Sequence, residues 1–174
     1  MRIDWPYIEQ DFVKILNDLI KSDPLDQWSI QPRKLAVTQH KTKYGMADLN
    51  GVVYINQAFV GTSAVELLAA TIRHELAHLC VGLQHGHDQY FKAKAHQFKA
   101  NFGRHLNAES EQFRANMGYK YRLYARIENP DCKSPEEILF KRVHRKHSKY
   151  LNYKPRRFRY LTIKGRKVIG FRYD

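Results

Sequence analysis

The stretch His74-Glu75-Leu76-Ala77-His78, followed eight residues later by Gly86-His87, decides how this chain is interpreted. On an α-helix, residues four apart lie on the same face, one turn apart. The imidazoles of His74 and His78 can therefore hold one Zn²⁺ ion, while Glu75 addresses a water molecule beside the metal. The same five letters also occur in ordinary amphipathic helices, so their context decides between the two interpretations.

The flanking residues favour a well-formed helix that stops soon after the motif. Residues 64–72 are strong helix formers, and Thr62-Ser63 with Glu66 has the spacing of a capping box. After the motif, Gly82 and Gly86 can end the helix and turn the chain back. A catalytic zinc site needs a third protein ligand. The returning segment offers two candidates, His85 and His87.

These residues resemble the SprT-like metalloproteases, the group that includes the Spartan proteases acting on DNA–protein crosslinks. The resemblance covers roughly residues 5 to 105 and is carried by the metal motif, Gly86-His87, Phe91-Lys92, Tyr44–Asp48 and Gly51–Asn56. It implies that His74, His78 and His87 are the ligands of one Zn²⁺ ion and that Glu75 is the general base. It also implies a zincin-like core and peptide-bond hydrolysis, and it favours His87 over His85.

One departure concerns the C-terminal zinc ribbon of many SprT-like chains, which carries two Cys-x-x-Cys pairs. This chain has two cysteines, Cys80 and Cys132, far apart and without ligand spacing. A second metal site is therefore not expected. Cys80 is interpreted as a small buried hydrophobic residue and Cys132 as a loop thiol. The low cysteine content and the lack of an apolar leader or a long apolar segment predict a soluble, cytoplasmic protein, associated with the nucleoid if it is bacterial.

The first part of the chain is expected to combine helices with a short sheet. Apolar residues at helical spacing predict a helix over Tyr7–Ile20 and a second over His87–Phe102 that Gly103 ends. Lys34–Thr38 and Gly51–Asn56 are predicted strands, and an Asn-Gly turn leads into the second of them. Candidates for stabilising an oxyanion are Tyr90, Arg73, Lys92 and the backbone of Tyr54-Ile55-Asn56.

Charge divides the chain into two parts. Residues 1–110 hold 12 Lys and Arg against 11 Asp and Glu, whereas residues 111–174 hold 18 against 6. We therefore predict a metalloprotease core over 1–110 and a basic, aromatic-rich region over 111–174. A strand is expected over Tyr119–Ile127, and Ser134–Glu137 resembles a helix start or a turn.

The basic region has the composition of a nucleic-acid-binding surface. Lys and Arg displace counterions from phosphates, and exposed aromatic rings can stack on unpaired bases. The expected contacts are Lys141, Arg142, Arg145, Lys146, Arg156, Arg157 and Arg159. The interleaved aromatic residues could equally form a small β core, and both interpretations can hold together. Arg157–Ile163, a Lys164-Gly165 turn and Lys167–Tyr173 predict a hairpin with one basic and one apolar side.

The expected fold class is therefore α+β: a zincin-like core with a short sheet and an active-site helix, followed by a basic, β-rich appendage. The expected function is zinc-dependent endopeptidase activity on DNA-associated proteins, with DNA as partner in single- or double-stranded form. The alternative is a nucleic-acid-binding or regulatory protein whose zinc site is structural or vestigial.

Overall fold

A computed structural model describes residues 1–130, 132 and 134–174 and has a mixed α+β fold. Two compact units divide the chain, Met1–Met117 and Gly118–Asp174. The boundary expected after residue 110 falls inside the helix Asn107–Asn116, which belongs wholly to the first unit. In the described residues, no helix has both the length and the apolar character needed to cross a membrane.

The first unit contains four α-helices and one small sheet. The helices are α1 (Trp5–Leu19), α2 (Val65–Val81), α3 (Gln89–Gln97) and α4 (Asn107–Asn116). The strands are β1 (Lys34–Thr38), β2 (Gly45–Ala47) and β3 (Val52–Asn56), in the order β1-β3-β2. Short 3-10 turns occupy Leu25–Gln27, Gln57–Phe59, Leu83–His85 and Arg104–Leu106.

The two strands expected before α2 are confirmed, and the Asn-Gly turn that leads into the second of them closes a hairpin. β2 runs antiparallel to β3, and β1 runs parallel to β3 on its other side. Asp48 closes the turn, because its Oδ1 accepts hydrogen bonds from the Asn50 and Val52 amides. Gly51 has a φ of 76°, a conformation that glycine adopts without strain. β2 is therefore an edge strand of this sheet.

α2 lies at the centre of the first unit. Leu67, Leu68, Ile72, Leu76 and Leu79 are each at most 1% exposed. Its buried residues occupy several faces of the helix, which is typical of a helix enclosed by other elements. Side chains from α1, α3, α4 and the sheet join it in one hydrophobic core. Each fully buried aliphatic side chain contributes roughly 1.5–3 kcal/mol.

The expected capping box at the start of α2 is wrong. The helix is preceded by Ala64, which provides no side-chain cap, and the Ser63 hydroxyl donates instead to Gln112. Glu109 of α4 supplies the missing acceptor, since its Oε2 lies 2.6 Å from the Leu67 amide nitrogen. A carboxylate at this position also interacts favourably with the helix dipole. The cap thus comes from a residue 42 positions later in the chain.

α3 ends earlier than expected, at Gln97 instead of Phe102. Lys99 adopts a left-handed backbone conformation with φ of 57°, and the Ala100 amide donates to the Ala95 carbonyl oxygen. This hydrogen bond closes the helix end in the manner usually associated with glycine. Phe98 remains buried, whereas Phe102 leaves the helix and is 45% exposed.

The second unit is a four-stranded antiparallel sheet with one short helix. Its elements are β4 (Tyr121–Ile127), β5 (Glu136–Val143), α5 (Ser148–Leu151), β6 (Thr162–Ile163) and β7 (Arg166–Tyr173), in the sheet order β5-β4-β7-β6. The helix start or turn expected at Ser134–Glu137 is wrong for Glu136 and Glu137, which belong to a strand. Glu136 and Glu137 open β5, because they pair with Ile127 and Arg126 of β4.

The aromatic residues of the second unit differ in exposure, and one group of them packs together. Tyr150 and Phe171 pack at 4.9 Å between ring centroids, and Phe140 and Tyr153 join them. Phe140, Tyr153 and Phe171 lie against the core formed by Ala125, Ile127 and Val168. In contrast, Phe158 is 88% exposed and Tyr160 is 46% exposed.

The predicted C-terminal hairpin is present but shorter and less basic than expected. Lys164 and Gly165 form the turn with positive φ, and β6 pairs antiparallel with β7. β6 is only two residues long. Three basic side chains of β7 form ion pairs that offset their charge: Arg166 with Glu136, Lys167 with Glu128 and Arg172 with Glu137.

Candidate metal centre

Three imidazoles converge at the end of α2. His74 and His78 lie one turn apart on this helix, and His87 immediately precedes Asp88, the N-cap residue of α3. Gly82 and Gly86, with φ of 96° and 52°, allow the tight return between the helices. The Nε2 atoms of His74 and His87 lie 3.2 Å apart. One nitrogen from each of the three residues falls within 4.8 Å of the others.

His85 lies outside this cluster. Its Nδ1 is 2.9 Å from Asp88 Oδ2, and its ring stacks on Tyr90. Asp88 also accepts a hydrogen bond from the Phe91 amide through Oδ1. Asp88 therefore caps α3 and holds His85 away. Among the residues the structure describes, His74, His78 and His87 are the one group of at least three potential ligands that meets this distance.

The donor set fits a zinc ion. Burial, together with the mutual influence of the imidazoles, lowers the pKa of His74 and of His78 to about 4. Both rings are therefore neutral near pH 7, as zinc ligands must be. A tetrahedral ion with Zn–N distances of about 2.0–2.1 Å separates its ligand nitrogens by about 3.3 Å. The 3.2 Å separation of His74 and His87 agrees with that spacing.

Aromatic rings support the imidazoles. Phe91 stacks on His78 with ring centroids 4.0 Å apart and meets His74 edge-on at 4.8 Å. Phe102 lies edge-on to His74 at 5.4 Å. These contacts restrict the orientations of the two α2 histidines and exclude water from one side of the cluster. The position of Phe91, on the first turn of α3, fixes it close to both rings.

Glu75 lies beside the cluster and is 6% exposed. Burial raises the pKa of its carboxyl group to about 8, and the nearby positive charge of Lys43 acts in the opposite direction. A carboxyl group of this pKa can exchange a proton near neutral pH, as a general acid–base group does. A bound divalent cation would lower this pKa.

The cluster and Glu75 line a cleft of about 680 Å³. All its lining residues belong to the first unit. One wall is formed by the edge strand β2 and the residues before it, including Lys43 and Tyr44. Leu67, Leu83, Phe102 and Leu106 add apolar side chains to its lining. An open site of this size can admit a peptide segment.

None of the residues proposed to stabilise an oxyanion lines this cleft. Arg73 lines a second cavity together with Asp11, and Tyr90 is 71% exposed and stacked on His85. Lys92 and Tyr54–Asn56 are also absent from the cleft wall. Lys43, Tyr44 and Ser110 contribute polar groups instead. Sequence reasoning missed Lys43, although its place just before the edge strand of the predicted hairpin was an available signal.

The two cysteines are free. Cys80 is buried, as expected, and burial raises the pKa of its thiol to about 11. It lies outside the histidine cluster. Cys132 is exposed.

The seven basic residues expected to contact nucleic acid lie on two segments of the second unit. Lys141 and Arg142 are in β5, with Arg145 and Lys146 just beyond it. Arg156 and Arg159 face each other across a tight bridge, with Arg157 and Phe158 at its tip. Six of these residues form no ion pair with a described carboxylate, namely Lys141, Arg145, Lys146, Arg156, Arg157 and Arg159. They thus differ from Arg166 and Arg172 of β7.

Comparison of the chain with protein-family models, with curated proteins and with solved structures finds no match.

Proposed function

We propose that the first unit is a zinc-dependent endopeptidase of the SprT-like type with a zincin-like active site. We further propose that the second unit binds DNA, so that the enzyme acts on DNA-associated proteins, including DNA–protein crosslinks. The observation that carries the proposal is the buried Glu75 carboxyl group beside three converging imidazoles in one open cleft.

The donor set favours a catalytic over a structural metal site. Structural zinc is usually enclosed by four protein ligands, whereas catalytic zinc has three and an open position. His74, His78 and His87 would hold the ion, and the described residues supply no fourth ligand to their group. When bound, zinc would supply Lewis acidity that polarises a carbonyl group and makes a water molecule more acidic.

Glu75 provides the proton transfer that amide hydrolysis requires. Its carboxylate accepts a proton from the attacking water, and the resulting acid then donates that proton to the leaving amine. Its burial next to His74 keeps it within the cleft and largely away from bulk water. A purely structural metal site has no use for such a group.

The edge strand β2 offers a way to hold a substrate. The outer edge of β2 is unpaired in the described sheet, and Gly45, Met46 and Ala47 line the cleft. An extended peptide can add to such an edge through main-chain hydrogen bonds, which bind without demanding a particular sequence. This favours an endopeptidase of broad specificity.

The second unit supports recruitment to DNA. The six expected contact residues without a described carboxylate partner, together with the exposed Phe158 ring, provide phosphate contacts and a stacking surface. The paired arginines of β7 instead contribute to the sheet. DNA binding would concentrate the protease on proteins that share the same DNA.

The decisive experiment compares wild-type protein with Glu75→Gln on a basic protein covalently attached to an oligonucleotide. The glutamine variant should bind the same amount of zinc but lose cleavage by a factor on the order of 10²–10⁴. The proposal is supported if cleavage is lost in the variant and also in wild-type protein treated with a chelator. If zinc-loaded wild-type protein cuts neither free nor DNA-attached protein, the result favours a nucleic-acid-binding protein with a structural metal.

A further inference from the structure

Lys43 is a cation at the wall of the candidate active site. It lies in the segment between β1 and β2 and lines the same cleft as His74, Glu75 and His78. Glu75 is the one acidic side chain among the residues that line this cleft. Within the described part of the chain, Lys43 forms no ion pair with a carboxylate. Its ammonium group is thus available to a ligand in the cleft.

The backbone that carries Lys43 is held in place by two neighbouring side chains. Asn56, which is 2% exposed, donates from Nδ2 to the carbonyl oxygens of His40 at 2.7 Å and Lys43 at 2.8 Å. His40 Nδ1 accepts from the amides of Thr42 and Lys43. This arrangement fixes the loop before a substrate arrives. Electrostatic stabilisation is more effective from a preorganised group, and the fixed backbone limits the positions that the exposed Lys43 side chain can reach.

Lys43 is the one Lys or Arg among the residues that line the cleft. Tyr44 and Ser110 are less suitable electrophiles, because the Tyr44 hydroxyl donates to Ser110 Oγ. The Tyr44 ring is also packed against Phe102 and Phe113. Lys43 combines a full charge, a fixed backbone and no acidic partner.

We propose that Lys43 is a catalytic residue whose ammonium group stabilises the oxyanion formed at the scissile peptide bond. This inference rests on the proposed function. Water attacks the carbonyl carbon, its proton passes to Glu75, and the carbonyl oxygen takes up the negative charge and accepts a hydrogen bond from Lys43. When the C–N bond breaks, the carbonyl forms again and Glu75 gives its proton to the amine nitrogen. Lys43 keeps its proton throughout and needs no further reactant.

The test compares Lys43→Met, which keeps most of the aliphatic stem, with Lys43→Arg, which restores a positive charge. Lys43→Met should lower kcat by a factor on the order of 10², with KM and zinc content close to wild type, and Lys43→Arg should recover part of the loss. The matched control is Lys41→Met, which removes a charge two residues away that does not line the cleft. It should leave kcat within about twofold of wild type.

A second readout separates a catalytic from a structural role. A phosphonamidate peptide imitates the charged tetrahedral state, so its affinity should fall in Lys43→Met in proportion to kcat/KM, while the affinity of an uncharged peptide product stays unchanged. Unchanged kcat in Lys43→Met, or an equal loss in Lys41→Met, would overturn the role of Lys43 alone. Wild-type protein without any Glu75-dependent cleavage would overturn the proposed function, and the role of Lys43 with it.

Discussion

Gly45 of the edge strand lies directly against Glu75. A Cβ atom placed on Gly45 would come within 3.1 Å of Glu75 Cγ and 2.9 Å of both Thr71 Cγ2 and the Tyr54 carbonyl oxygen. The absence of a side chain at residue 45 therefore allows β2 to approach α2 closely. This contact sets the distance between the candidate catalytic carboxyl group and the strand that would hold a substrate.

We expect Gly45→Ala to move Glu75 or the edge strand, because the backbone oxygen of Tyr54 cannot yield without breaking the sheet. Overpacking of this kind costs about 1–3 kcal/mol. The melting temperature and the cleavage rate should both fall. Gly170→Ala is the control, since its nearest contact is Arg126 Cδ at 3.9 Å. Equal behaviour of the two variants would show that the close approach is unimportant.

Glu109 should contribute to stability through the start of α2. Glu109→Ala removes the acceptor of the Leu67 amide and should lower the free energy of unfolding by about 1 kcal/mol, whereas Glu109→Gln retains an acceptor and should lose less. Urea denaturation measures both effects. Asp18→Asn disrupts only the exposed pair with Lys21 and should change little. An Asp18→Asn effect as large as that of Glu109→Ala would contradict this prediction.

His87 and His85 should differ sharply in metal binding. His87→Ala removes one of three converging nitrogens and should reduce zinc affinity at least tenfold, whereas His85→Ala should leave zinc bound. Metal analysis after dialysis against a competing chelator checks this. Loss of zinc in His85→Ala with retention in His87→Ala would reverse the assignment of the third ligand.

The metal-free protein should lose stability as the pH falls below the ordinary histidine range. The pKa of His74 and His78 is lowered from 6.5 to about 4, so the unfolded chain takes up protons that the folded chain refuses. Their contribution is complete above pH 6.5 and is lost between pH 6.5 and 4. The raised pKa of Glu75 offsets part of this loss, because its carboxyl group takes up a proton more readily in the folded chain. Urea midpoints measured with chelator should show this decline. The decline should be smaller in a variant that carries both His74→Asn and His78→Asn. An equal decline in that variant would assign the effect to other groups.

DNA affinity should depend more on the bridge at residues 156–159 than on β7. A variant with glutamine at Arg156, Arg157 and Arg159 should bind an oligonucleotide more weakly and with a salt slope smaller by about one per lost phosphate contact. Fluorescence anisotropy at several salt concentrations measures this slope. Arg172→Gln is the control, because Glu137 already holds that guanidinium group. An equal change in Arg172→Gln would argue against a localised surface.

Local patterns predicted the elements on which the site depends. The apolar spacing of Ile8, Phe12 and Ile15 indicated α1, and helix formers around the histidine motif indicated α2. The Asn-Gly turn indicated the β2–β3 hairpin. The spacing of His74 and His78 on one helix, with a glycine-containing return, was sufficient to suggest how a third histidine reaches them. Whether these residues bind zinc stays a prediction.

Contacts between distant residues could not be predicted. The cap of α2 depends on Glu109, which no local motif connects to Leu67. The chain leaves α3 through Lys99 in a left-handed conformation, which composition does not indicate. Glu136 and Glu137 follow Pro135 and resemble a turn, but pairing with β4 and with the arginines of β7 makes them a strand. For Lys43 the sequence signalled only a place before β2, and the folded chain shows that the residue lines the cleft.

The three candidate ligands are close together along the chain as well as in space. Because they span only residues 74 to 87, an ion held by them would close two short loops, which costs little chain entropy. The large core around α2 does not depend on those loops. Removing the ion should therefore accelerate amide hydrogen exchange mainly in residues 82–88, while the interior of α2 stays protected. The chain could accordingly fold first and acquire its metal afterwards.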